Sequence, residues 1–380
     1  MLNLRLGIKI YDNEWFLRYR LSPEEAADVL SEMGATFVIA QSRFLPMQDN
    51  AVKSDVRDSQ VADYAALDDV AFRRALAARE IGYFACLNIC FDPAFAASHP
   101  ELLPIDQFGQ TERMQDWYIG LPPDRAENLQ HKIAMLEKAV PALDPDGVHL
   151  GFIRWPGFWE TWLPDVDRAR MPDYCYGPQT LRRFSEETGA DVPSEDARVA
   201  ARLIAQRYRR EWRDWKCGVT VDAIRQIRGA VLKSRPKTLV AINTLPFFQT
   251  DFDNAVEEVF GQDISRLTDV VDIFEVMSYH QILGRSAEWP AAIGNDIKQR
   301  CSSNVICTLQ AKALYLDGMH TGGNRKQQIS ADEFNQAVDA LGRSTVDGMC
   351  VFTFSDLLNA KETPEGRRML ERLARFRTAT

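Results

Sequence analysis

Two glutamates stand where a carboxylate could do chemistry. Glu275 interrupts the apolar run Val271-Asp-Ile-Phe-Glu-Val-Met277. A carboxylate inside such a run is costly unless it is paired or used. Burial would also raise its pKa toward the range of a general acid. The bland alternative is a glutamate bonded to an arginine in the core. Glu160 closes the stretch Asp146-Gly-Val-His-Leu-Gly-Phe-Ile-Arg-Trp-Pro-Gly-Phe-Trp-Glu160, which crowds Arg154, Trp155, Phe158 and Trp159 around it. An indole face takes the C–H face of a sugar ring, while charged and amide groups take its hydroxyls. Two carboxyl groups flanking a glycosidic bond can cleave it, one as acid and the other as nucleophile or base. The expectation is therefore Glu275 as general acid/base, with Glu160 as the second carboxylate. The bland reading of the aromatic stretch is a loop packing its rings against a helix, with Glu160 solvated.

These residues need elements to hold them. Val148 to Ile153 is a short, buried, β-branched run stopped by Pro156-Gly157. Seven similar runs accompany it: 4–10, 36–40, 83–90, 238–243, 270–277, 304–310 and 349–354. Helical patterns alternate with them. Ser22-Pro-Glu-Glu opens one helix with an N-cap, Pro at the first position and acidic residues in the first turn. Ser330-Ala-Asp-Glu caps another. Continuous apolar strands alternating with helices mean a parallel sheet covered on both faces. Eight such units in 380 residues predict a single-domain (β/α)8 barrel over 1–380, with long loops at 91–123 and 154–177 over the site. An open doubly wound sheet is the runner-up, but no Gly-x-Gly-x-x-Gly follows the first strand.

A barrel carries its site at the C-terminal ends of its strands. The polar residues there include Asp12, Gln41, Arg43, Asn88, Asp92, Arg154, Asn243, Tyr279, His280, Gln310, Lys312 and Asp356. In this reading Trp155, Trp159 and Trp117 form stacking platforms. Arg154, Asn243, Tyr279, His280 and Gln310 hold hydroxyls, and Asp12 and Asp92 complete the substrate-binding set. His149 reads as a satisfied core histidine and Asp272 as a structural ion at a strand start. His99, Asp92 and Asp116 could meet a metal, but their spacing does not demand one, so neither metal nor cofactor is expected.

The composition is that of a globular protein, 46% hydrophobic and 26% charged, with a net charge of −9. Nucleic acid binding needs a basic face and is not expected. No stretch reaches the ~18 apolar residues that cross a membrane. The chain runs from Met1 straight into a strand pattern, so a cytoplasmic location is the expectation. Seven scattered cysteines without a Cys-x-x-Cys pair read as buried hydrophobes. A homo-oligomer is left open.

Asp146-Gly-Val-His-Leu-Gly-Phe-Ile-Arg-Trp-Pro156 resembles the Asp-Gly-Ile-His-Leu-Asp-Tyr-Ile-Arg-Tyr-Pro signature of TIM-barrel proteins in the hypothetical glycosyl hydrolase-like family. Val271-Asp-Ile-Phe-Glu-Val-Met-Ser-Tyr-His280 is similar to that family's sixth-strand region, and Asp173-Tyr-Cys-Tyr-Gly177 looks like a helix entry in related sequences. The resemblance covers roughly 80–356. It implies a barrel that cleaves an oligosaccharide or other glycoside. It also implies a carboxylate after Leu150, where this chain has Gly151. Three readings follow: an inactivating substitution, a carboxylate pair relocated to Glu160 and Glu275, or a barrel that binds sugar without cleaving it. The relocated pair is the main expectation. A sugar-acid lyase or isomerase, with Lys312 or His280 as base, is a further alternative.

Overall fold

The computed structural model describes residues 2–45, 64–316 and 325–378. The polar loop expected after Arg43 lies largely outside them. Eight strands form a closed parallel barrel in chain order. They are β1 (Leu6–Ile10), β2 (Phe37–Ala40), β3 (Gly82–Asn88), β4 (Gly147–Gly151), β5 (Leu239–Thr244), β6 (Ile273–Val276), β7 (Asn304–Gln310) and β8 (Gly348–Phe352). β1 pairs with both β2 and β8, so no edge is left and the open-sheet alternative is excluded.

The connecting helices are α1 (Pro23–Glu32), α2 (Asp69–Ala77), α3 (Ala126–Leu143), α4 (Arg209–Ser234), α5 (Trp289–Gln299), α6 (Ala331–Gly342) and α7 (Pro364–Thr378). Between β5 and β6 two short helices, Ala255–Glu258 and Ile264–Leu267, replace a long one. The start of α1 is set by Ser22, whose hydroxyl accepts from Glu25 N while Glu25 caps Ser22 N in return. Asp68 and Ser330 cap α2 and α6 with one bond each, their side chains accepting from Ala71 N and Glu333 N. Glu14–Leu17, Pro93–Ser98 and Phe354–Ala360 are helices that the hydrophobic pattern does not reveal. The last begins two residues after β8, so Ser355 and Asp356 are helical residues at the rim.

Strand side chains alternate between two cores. The outward set packs under the helices. The inward set, with Phe37, Phe84, Cys86, Ala241, Ile306 and Cys350, fills the lower barrel. A Cβ on Gly7 or Gly147 would run into the rings of Phe37 or Phe84, so these two glycines admit the rings to the barrel axis. A third cluster lies outside the barrel, where Tyr176, Phe184, Trp212 and Trp215 pack around Trp155.

Candidate active site

A cavity of about 350 Å³ opens at the C-terminal mouth. Lys9 and Tyr11 reach it from β1, Asn88 and Phe91 from β3, Phe152 from β4 and Asn243 from β5. Met277 and Tyr279 follow β6, Leu314 and Tyr315 follow β7, and Phe352 ends β8. The long segments 91–123 and 154–177 add Trp117 and Glu160. Phe91 and Phe152 stack at 4.9 Å, with Trp117 edge-on to both. The result is an aromatic chamber with a few polar groups set into it, the usual make-up of a small-ligand site.

Glu160 lies on the short helical turn Trp159–Thr161 and is buried. Tyr315 Oη approaches its Oε1 at 3.5 Å, and its Oε2 has no hydrogen-bond partner among the described residues. Burial pushes its carboxyl up to about 7, and the nearby Arg154 charge only partly opposes this. Arg154 is itself buried, its guanidinium 4.9 Å over the Phe152 ring and without a hydrogen-bond partner among the described residues. Glu112, buried behind the chamber, is pushed up to about 8 by the same loss of water.

Glu275 is arranged oppositely. It points into the barrel below the cavity and does not line it. Its Oε2 accepts from Lys9 Nζ at 2.9 Å and from His149 Nε2 at 3.0 Å, and Thr308 Oγ1 donates to its Oε1. Burial alone would raise this carboxyl, but the Lys9 ammonium and the His149 bond outweigh it and hold it at about 2. A carboxylate so fixed has no proton to give near neutral pH. The general-acid role expected for Glu275 is therefore corrected: it is the counter-ion of Lys9. Burial alone would lower Lys9, but the Glu275 charge and hydrogen bond, together with Tyr11 and Cys350, outweigh it and raise the ammonium well above its ordinary value. His149 completes the layer, its Nδ1 lying 3.4 Å from Cys86 Sγ, which is the satisfied core role read from the sequence.

Beside Gly151 sits the Asn88 carboxamide. The two residues pair across β3 and β4, and a Cβ at Gly151 would collide with Asn88 Oδ1. Both polar atoms of that amide are buried without a partner among the described residues, yet Asn88 lines the cavity. The position where the family signature carries an acid is thus taken up by a neutral amide from the neighbouring strand.

Of the other expected binding residues, Trp117, Asn243 and Tyr279 line the cavity. Asn243 Oδ1 also accepts from Phe152 N, which fixes the turn after β4. Trp155 does not act as a platform: it is fully buried in the outer cluster, with its Nε1 bonded to Lys216 O. Trp159 is buried too, stacked behind Tyr279 at 6.1 Å. Asp92 caps the helix Pro93–Ser98 and pairs with Lys132 Nζ at 2.7 Å, away from substrate and from any metal role. His280 turns outward to Glu333, 3.1 Å away. Gln310 is buried, and its Nε2 is bonded to Gln281. Asp12 lies in a separate polar recess with Ser355, Lys312 and Asp356 that shares Tyr11 and Phe352 with the main cavity. Asp272 is bound by Arg228 at 2.6 Å. Among the described residues no group of three His, Cys, Asp or Glu could hold a metal ion.

Lys9 is the principal residue missing from the sequence reading. Its signal was present: a lysine inside the buried run Leu6-Gly-Ile-Lys-Ile10 is as anomalous as Glu275 in its own strand. Tyr315 and Phe152 carried no comparable mark.

No protein-family model matches the chain, and no curated protein matches it in sequence. Its fold is that of TIM-barrel glycoside hydrolases. The PgaB (BpsB) glycoside hydrolase domain from Bordetella bronchiseptica superposes with a TM-score of 0.61 at 14% identity, over 98% of this chain and 99% of that one. A beta-galactosidase from Bacillus circulans sp. alkalophilus gives 0.61 at 10% identity, over 98% of this chain and 56% of that one. A chitinase from Chromobacterium violaceum gives 0.50 at 10%, over 99% of both chains. The chain thus spans the whole PgaB domain and a little over half of the beta-galactosidase.

Proposed function

We propose that the protein is a glycoside hydrolase in which Glu160 is the general acid. The observation carrying this reading is a buried carboxyl at the barrel mouth, with one oxygen unpartnered, in an aromatic cavity the size of a small sugar. Burial keeps much of Glu160 protonated near neutrality. Its proton passes to the glycosidic oxygen as the C–O bond breaks, and a water molecule then bonds to the anomeric carbon and returns a proton to the Glu160 carboxylate. Trp117 gives the ring a stacking face, and Asn88 and Asn243 offer amides to its hydroxyls. Glu275 is outside this chemistry as acid or nucleophile, because three donors saturate it below the cavity. The test is hydrolysis of aryl glycosides by Glu160→Gln. Loss of a general acid slows poor leaving groups by roughly 10²–10⁴-fold and spares a dinitrophenyl group that needs no proton. Equal loss for both would reject the acid role.

A second reading is a barrel that binds a sugar without cleaving it. It is favoured by Glu160 being the one carboxylate among the described residues lining the cavity, with Gly151 and Asn88 where the signature has an acid. Binding of a glycoside with no turnover in any protonation state would support it. A lyase or isomerase fits less well. His280 faces Glu333, Lys312 pairs with Asp356 at 3.4 Å, and Lys9 is held protonated and so cannot serve as a base.

A further inference from the structure

We propose that the sugar ring taken by this cavity bears a carboxylate, as in a uronic acid, and that the carboxylate seats against Lys9 at the cavity floor. This rests on the hydrolase reading for the cavity's purpose and goes beyond it in naming the substrate class. Lys9 is almost wholly buried yet lines the cavity, while its counter-ion Glu275 does not. The ammonium has three N–H bonds and, among the described residues, one hydrogen-bond acceptor, Glu275 Oε2 at 2.9 Å. Its remaining surroundings include the rings of Tyr11 and Phe352, 4.8 and 5.8 Å from Nζ. Those rings guide the cation but accept no strong hydrogen bond.

The charge facing the substrate points the same way. Among the described lining residues only Lys9 and Glu160 carry an amine or a carboxyl group. A general acid works in its neutral form, so in the competent state the cavity presents a single positive charge. Arg154 and Arg325 stand close enough to Glu160 to add to that potential. Glu275 balances the Lys9 charge from below, but it does not line the cavity, so the Lys9 ammonium is the nearer of the two charges to a bound ligand. A neutral sugar answers the two remaining ammonium N–H bonds with uncharged hydroxyl oxygens, whereas a carboxylate answers them with stronger, charge-assisted hydrogen bonds. At about 350 Å³ the cavity is at the small end of ligand sites, enough for one ring and its substituent.

The test is binding, followed by intrinsic tryptophan fluorescence or calorimetry, of methyl glucuronide and methyl galacturonide against methyl glucoside and methyl galactoside. The uronides should bind at least about tenfold tighter than their neutral counterparts, the scale of one charge-assisted hydrogen bond. In Lys9→Met combined with Glu275→Gln, which removes both charges together, the ratio should fall to near one. Equal binding of acid and neutral sugars by the wild type, a comparison that needs no variant to fold, would overturn the inference. So would a preference that survives in the double variant. Neither result depends on turnover, so failure here leaves the Glu160 acid test standing, and a failed acid test leaves this one readable.

Discussion

Lys9 Nζ and Glu275 Oε2 lie 2.9 Å apart inside the barrel, one residue facing the cavity at its mouth and the other not. The pair joins β1 to β6 across the barrel interior, and neither charge has bulk water to fall back on. Removing one partner strands the other. Lys9→Met or Glu275→Gln alone should therefore destabilise the fold by about 3–5 kcal/mol, while the double substitution should recover most of that loss. Urea unfolding of the four proteins reads the coupling directly. Additive losses would mean that the two side chains do not act as a pair.

The same pair gives stability a particular pH dependence. The Glu275 carboxyl is held at about 2 against an ordinary value of 4.5, so its contribution is complete above 4.5. As the pH falls from 4.5 toward 2, the unfolded chain takes up the proton first and the contribution is lost. Thermal unfolding should show this acid loss in the wild type and less of it in the Lys9→Met/Glu275→Gln protein.

Gly151 and Asn88 should be energetically coupled. A Cβ at Gly151 meets Asn88 Oδ1, so Gly151→Asp forces the amide aside and should cost about 1–3 kcal/mol. Adding Asn88→Gly clears the space and should relieve most of that cost. Thermal melts of the single and double variants check it, and no relief would show that the two side chains do not compete for one place.

Two tryptophans expected to do the same work should behave differently. Trp155 is fully buried and bonded to Lys216, so Trp155→Ala should lose about 3–5 kcal/mol of stability. Trp117 is half-buried and borders the cavity, so Trp117→Ala should weaken sugar binding on the order of tenfold while costing little stability. Unfolding curves and sugar titrations on both variants separate the two roles.

The barrel was legible in the sequence because the buried strands are largely apolar runs and several of the helices between them carry start signals, as at Ser22 and Ser330. The site was legible only in part. Glu275 was conspicuous as a charge in an apolar strand, but sequence distance does not show which cation meets it. Lys9 is 266 residues away and reaches it only because β1 and β6 face one barrel interior. The aromatic crowd after β4 was read as one surface, whereas the chain there turns. Glu160 faces the cavity, Trp159 packs behind Tyr279, and Trp155 enters a separate core. Asn88 beside Gly151 depends on strand register, which composition does not reveal.

The most direct test of the Glu160 assignment is the pH profile of kcat/KM on a glycoside with a poor leaving group, for the wild type and Glu160→Gln. With the carboxyl at about 7, the wild-type rate should hold below that pH and fall about tenfold per unit above it, as the proton to be donated is lost. Glu160→Gln should be slow throughout and lack that basic limb. A variant that keeps wild-type activity with the same limb would show that another group supplies the proton.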